Sequence, residues 1–261
     1  MNIEVVDVTE GAGVVDVRGD CGSHGQYGQS LLYLGGNAAG LDIADFAGSI
    51  GRLFVRAPER APRPEELQVL RDLTTEGYST GSLAEILAPL LTLMADGRYE
   101  LRSPEPVTNR IIEGFQAWYS STKWGISRPQ PDEPSGIHPL EDWLTPTEHW
   151  PPTDTGAVER YRTALRQGAR PVVIALRAGA ENLWSGFVLD GHHKLAAYRA
   201  EELAPTVLRI ARVGAPPITP EEVRDHFPRA AEHSEMKWAM AALERRDQRP
   251  LDRPDQHYRV R

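Results

Sequence analysis

The stretch FVLDGHHKLAAYR, residues 187–199, decides how the rest of the chain is read. An apolar run ends at Leu189, Asp190 is a residue type that caps helices, Gly191 permits a tight turn, and an alanine-containing helical pattern follows at once. The backbone N–H groups of residues 191–194 are then the unpaired donors of a new helix, and such a terminus attracts anions. Yet His192, His193 and Lys194 occupy its first turn, where positive charge opposes the helix dipole. A bound phosphate would supply the missing negative charge, so Gly191, His192, His193 and Lys194 are candidate phosphate-binding residues. Asp190 could orient a histidine, cap the helix or help to hold Mg²⁺.

The sequence around the stretch gives it a compact α/β setting. GAVERYRTALRQG (156–168) reads as a helix closed by glycine, PVVIALRAG (171–179) and LWSGFVL (183–189) as two strands of a hairpin, GHHKLAAYRAEEL (191–203) as a helix and TVLRIARV (206–213) as a further strand. Helix, hairpin, helix and strand make a small mixed sheet with flanking helices. SRPQPDEPSGIHP, with its four prolines, is the expected boundary before it. The expected organisation is an N-terminal α+β domain at 1–125, the α/β unit at 126–218, and C-terminal helices with a loose tail at 219–261. In that last part Thr219 and Ser234 are candidate helix caps.

The front of the chain opens on β-like runs at 3–8, 13–19 and 30–36, read as an antiparallel meander. After the proline-broken RAPERAPRP (56–64), helices are expected at 65–77, 82–97 and 104–121. The middle one carries Ser82 and Glu85 at capping-box spacing and an internal Pro89.

Composition narrows the classes. The chain has 261 residues, 40% hydrophobic and 25% charged, which is a globular balance. No run approaches the length of a spanning helix and no signal-peptide layout opens the chain, so a cytoplasmic protein without a membrane partner is expected. Cys21 is the single cysteine, which rules out an internal disulfide and a multi-cysteine zinc site. A net charge of -8 opposes unassisted binding to nucleic acid. No Walker-type loop and no G-x-G-x-x-G after a strand occurs. GYSTG (77–81) has the letters of a nucleophile elbow, but it follows a polar helix-like segment instead of a buried strand. A metal site made from His192, His193 and Glu148 is disfavoured, because adjacent helical residues point about 100° apart.

VLDGHHKLAAY resembles the D-G-H-H-R-x-x-A motif of the ParB/sulfiredoxin-like superfamily, particularly its free-serine-kinase branch, over roughly residues 137–215. Lys194 stands where that family usually has arginine, keeping the charge and losing the bidentate fork. The resemblance implies a nucleotide-binding fold in which an acidic residue after the first strand is the general base, and in LTPTEHW (144–150) that position is Glu148. From the sequence alone Glu148 reads equally well as a helix-start carboxylate. His149 and Trp150 would lie near the same cleft.

The activity that the resemblance implies is that of a kinase moving a phosphoryl group from ATP or ADP to the hydroxyl of a small molecule or peptide, with Mg²⁺ travelling with the nucleotide. Glu148, His193 and Asp190 would then be catalytic. The rivals are a CTP-gated binding protein of the same fold and a nuclease-like protein acting on DNA. Both need a cationic surface, for which Arg160, Arg162, Arg166 and Arg170 are the candidates.

Overall fold

All seven residues of Val172–Ala178 are buried, and this strand lies inside the larger of the chain's sheets. The computed structural model describes residues 2–21, 27–45, 51–56, 63–70, 81–106, 118–119, 125–127, 144–148, 150–179, 186–232, 237, 240–241 and 243–244. Its elements run β1 (Ile3–Val8), β2 (Val15–Cys21), β3 (Tyr27–Leu34), β4 (Asn37–Asp45) and β5 (Gly51–Arg56), then a 3-10 turn at Glu65–Gln68, α1 (Leu83–Leu91) and β6 (Gly97–Pro106). After these come β7 (Trp118–Tyr119), β8 (Gly125–Ser127), β9 (Leu144–Pro146), α2 (Thr155–Arg166), β10 (Val172–Ala178), β11 (Gly186–Asp190), α3 (His192–Ala200) and β12 (Thr206–Val213). Two short helices, α4 (Pro220–His226) and α5 (Pro228–Glu232), follow. The fold is therefore mixed α and β. Among the described residues no helix is long and apolar enough to cross a membrane.

The first sheet has the order β1-β6-β12-β10-β11-β9. β10 pairs with β12 in parallel and with β11 as an antiparallel hairpin, while β9 lies parallel to β11 at the edge. The parallel β10/β12 pair requires a crossover, and α3 supplies it. The second sheet, β2-β3-β4-β5-β8-β7, is antiparallel throughout. Gly35 and Gly36, at φ 55° and 78°, turn β3 into β4, a two-residue connection whose twist suits the flanking strands.

Alternation along β10 separates two cores. Val172, Ile174, Leu176 and Ala178 join Val15 and Val17 of β2, Leu32 and Leu34 of β3, and Leu87 and Leu90 of α1 in one apolar cluster between the sheets. Val173 and Ala175 face the other way, with Leu195 of α3 and Val207 of β12. A strand covered on both faces needs apolar side chains on both, which is why VVIALRA reads as a continuous run. Arg212 of β12 crosses toward the second sheet. Its guanidinium bonds the Asp16 carboxylate, the Val17 carbonyl at 3.2 Å and the Asp96 carbonyl at 2.6 Å. A Cβ at Gly97 would sit 2.9 Å from Arg212 Nε, so a glycine there gives the guanidinium its room.

The chain separates into compact units at Met1–Pro217 and Ile218–Arg261. Strands from both sides of residue 126 share the first sheet, since β1 and β6 continue it beyond β12. The line expected at 125/126 therefore does not separate two sheets. Of the expected front meander, only the second and third runs pair; the first leaves to become the edge strand β1. The expected helix at 104–121 gives way to strand at both ends, because 104–106 complete β6 and 118–119 form β7, while 107–117 lie outside the described residues. GYSTG up to residue 80 and residues 128–143 of the proline-rich segment also lie outside them. In the second unit α4 has a complete capping box between Thr219 and Glu222, and Arg224 pairs with Glu244. Ser234 lies outside the described residues.

The capping box expected between Ser82 and Glu85 is replaced by a long-range cap. Glu4 of β1 takes the Leu83 amide at 2.9 Å, the Ala84 amide at 3.0 Å and the Ser82 hydroxyl at 2.7 Å. These bonds, the Leu83 amide first, hold the Glu4 carboxyl below its ordinary value of 4.5. A depressed folded pKa contributes stability above the ordinary value and loses it as pH falls through the folded one. Glu4→Gln is accordingly expected to lower the Tm at neutral pH, with the gap to the parent narrowing in thermal scans as pH falls below the ordinary carboxylate value.

Candidate active site at the β11–α3 junction

β11 ends at Asp190, and Gly191 makes the turn with φ 108° and ψ 22°. That backbone region favours glycine, and a Cβ there would meet Val173 Cγ2 at 3.0 Å. α3 then starts with no side-chain cap. Asp190 does not cap it, because its Oδ2 accepts from Lys194 Nζ at 2.7 Å. The same ammonium donates to the Val172 carbonyl at 2.9 Å and lies 5.9 Å from the centre of the Tyr161 ring. Lys194 is 2% exposed. Burial lowers its pKa from 10.5, and the Asp190 charge acts in the opposite direction.

The four residues expected to hold phosphate thus divide. Lys194 and His192 face the interior, while His193 is half-buried and the Gly191 turn forms the start of the helix. Lys194 serves as an internal counter-charge for Asp190, which accounts for a cation in the first turn without a ligand. His193 lies close enough to Asp154, the N-cap of α2, to help to depress that carboxyl, for which the bond from the Ala157 amide is the larger cause.

His192 binds the segment after β9. Its Nε2 receives the Thr147 amide at 3.0 Å and the Glu148 amide at 3.1 Å, and its Nδ1 lies 3.7 Å from Glu148 Oε2. Thr147 Oγ1 donates to the Val188 carbonyl at 2.6 Å, and Thr145 Oγ1 donates to the fully buried Asp42 at 2.7 Å. No helix starts at Glu148; the next one begins at Thr155, so the helix-start reading of that carboxylate does not apply. The Glu148 side chain is 38% exposed and stands beside the α3 start. Trp150 packs against the cluster around Leu144 and Val173, and His149 lies outside the described residues.

Arg63 was not picked out by its sequence, which reads as a proline-broken linker. Its Nη1 donates to Glu148 Oε1 at 2.8 Å and to the Leu189 carbonyl at 2.5 Å, and Nη2 lies 3.9 Å from Asp190 Oδ1. The preceding region therefore contributes a cation to the junction. The only available signal was an arginine among prolines ahead of a helical start.

Glu148 and Asp190 are the carboxylates at the junction, and each has a cationic partner. No group of three or more His, Cys, Asp or Glu side chains suited to a metal occurs among the described residues. With Glu148 bonded to Arg63 and Asp190 to Lys194, the donor set described at the junction does not fit a protein-held Mg²⁺. Of the arginines expected to form a cationic surface, Arg162 and Arg166 both bond Glu201 and Glu159. Arg170 donates to the carbonyls of Leu165 and Ala169.

Removing the ammonium takes from the Asp190 carboxylate its nearest cation. Lys194→Met is expected to cost about 3 kcal/mol or more in denaturant unfolding. Lys194→Met with Asp190→Asn should recover much of that loss, a non-additivity that a double-mutant cycle measures directly. No family model matches the chain, and no curated protein or solved structure matches it, so its function has to be argued from this geometry.

Proposed function

We propose that the chain is a nucleotide-dependent phosphotransferase that moves the terminal phosphoryl group of ATP or ADP to the hydroxyl of a small molecule or peptide. The observation that carries the reading is the α3 start: Asp190 is committed to Lys194, the helix has no side-chain cap, and a half-exposed carboxylate stands next to it. Helix-terminal amides suit a phosphate, and no side-chain cap competes for them here. The turn at Gly191 and the side chain of His193 bind the phosphates in this reading. His192 and Lys194 support that turn from inside.

Glu148 accepts the proton of the attacking hydroxyl as the oxygen–phosphorus bond forms and the nucleotide leaves with the bridging oxygen. Arg63 donates to Glu148 Oε1 at 2.8 Å and so holds the carboxylate beside the turn. Asp190 acts through Lys194, a change from the direct catalytic role expected of it. Favouring this reading over a protein that binds a polyanion are the net charge of -8 and the pairing of Arg162 and Arg166 with carboxylates.

The test is a thermal-shift series with ATP, ADP, CTP and GTP, each with Mg²⁺, followed by turnover assays against hydroxyl acceptors. An adenine nucleotide at about a hundred times its Kd should stabilise the parent by about 2.7 kcal/mol. His193→Ala should lose most of that gain. Glu148→Gln should keep the nucleotide-induced shift and lose activity by a factor of about 100 or more. A response to none of the adenine nucleotides, or full activity in Glu148→Gln, would refute the reading.

A further inference from the structure

β9 is only Leu144–Pro146, an edge strand with three paired positions, one of them a proline that has no N–H to give. So short a strand does little to fix the residues after it. The segment carrying Glu148 is held instead by side chains: Thr145 to Asp42, Thr147 to the Val188 carbonyl, and the amides of Thr147 and Glu148 to His192. Of these four bonds, only the last two reach across to α3, the helix whose start is the proposed phosphate site.

The chemistry of the ring is set by the donors aimed at it. Two backbone N–H groups point at Nε2 from 3.0 and 3.1 Å, and a nitrogen accepting them needs its lone pair. The Thr147 hydroxyl is 3.5 Å from Nε2 and gives its proton to Val188, so it is a poor competitor for that lone pair. The proton of a neutral imidazole then belongs on Nδ1, the side that faces Glu148 Oε2 at 3.7 Å. The ring is bracketed by the backbone and the side chain of one glutamate.

We infer that His192 is a positioning residue: a neutral, Nδ1-protonated imidazole whose Nε2 lone pair holds the amides of Thr147 and Glu148 and so fixes the Glu148 carboxylate relative to the Gly191–His193 turn. The kinetic consequence rests on Glu148 being the base; the tautomer and the pinning do not. A merely space-filling core histidine would be replaced without loss by a ring of similar volume. A lone-pair donor would be replaced by a side-chain amide, whose oxygen also accepts two N–H groups.

The experiment uses the full chain. Ring ¹⁵N NMR at neutral pH should show His192 protonated on Nδ1 and bare on Nε2; the other tautomer, or a charged ring, overturns the inference. Hydrogen exchange at the Thr147 and Glu148 amides should be slow in the parent and in His192→Gln, and fast in His192→Phe. Unchanged protection in a folded His192→Phe also overturns it, and if that variant does not fold, the NMR result on the parent decides. With substrates, His192→Phe should lower kcat by about tenfold or more while the nucleotide KM stays within about twofold, and His192→Gln should restore kcat. The predicted NMR and exchange results with kcat unmoved in either variant would support the pinning and sink Glu148 as the base.

Discussion

The ammonium of Lys194 is the constraint on which the site depends. A cation that is 2% exposed must have compensating oxygens, and it takes them from the Asp190 carboxylate and the Val172 carbonyl. Those two bonds attach the first turn of α3 to the ends of β10 and β11. They also remove the one side chain that would otherwise cap the helix. An ordinary strand–turn–helix junction with aspartate in this place would satisfy its own amides. Here the aspartate accepts from Lys194, and α3 starts at Gly191 without a side-chain cap.

The surroundings build outward from that junction. β10, buried on both faces, gives the turn a rigid floor through Val173, and the close approach of Val173 to Gly191 leaves no space for a side chain there. His192 extends from the same turn to the backbone after β9, and Arg63 reaches it from a segment more than a hundred residues earlier in the chain. Asp190, Glu148, Lys194 and Arg63 form two carboxylate–cation pairs.

The second half of the fold was legible because each element there announces itself locally. TVLRIARV occupies β12 without a shift, PVVIALRAG encloses β10, and the helices at 156–168 and 191–203 overlap α2 and α3. The first half was less legible, because its decisive partners are distant in sequence. IEVVDV alternates as any edge strand does, and nothing local says that it pairs with 97–106 instead of joining the meander beside it. Ser82 and Glu85 have the spacing of a capping box, but a carboxylate about eighty residues away provides more bonds to the same helix end. GRYELRSPEP carries a proline pair that reads as a helix start, and pairing with β12 makes it a strand.

The strand–turn–helix junction was legible, and the orientation of its side chains was not. The sequence located the junction, since a strand, D-G and a helix in succession constrain the backbone, whereas Glu148 was pointed to only by the family resemblance. The sequence could not show that Lys194 and His192 turn inward, because a cation's direction depends on whether a buried oxygen waits behind it. The central proposal is that the amides at the start of α3 bind a nucleotide's phosphates. Titrating ATP with Mg²⁺ into ¹⁵N-labelled protein tests this most directly: the account predicts saturable shifts centred on the amides of Gly191, His192 and His193. Saturable shifts confined to other parts of the chain, with those amides unmoved, would contradict it.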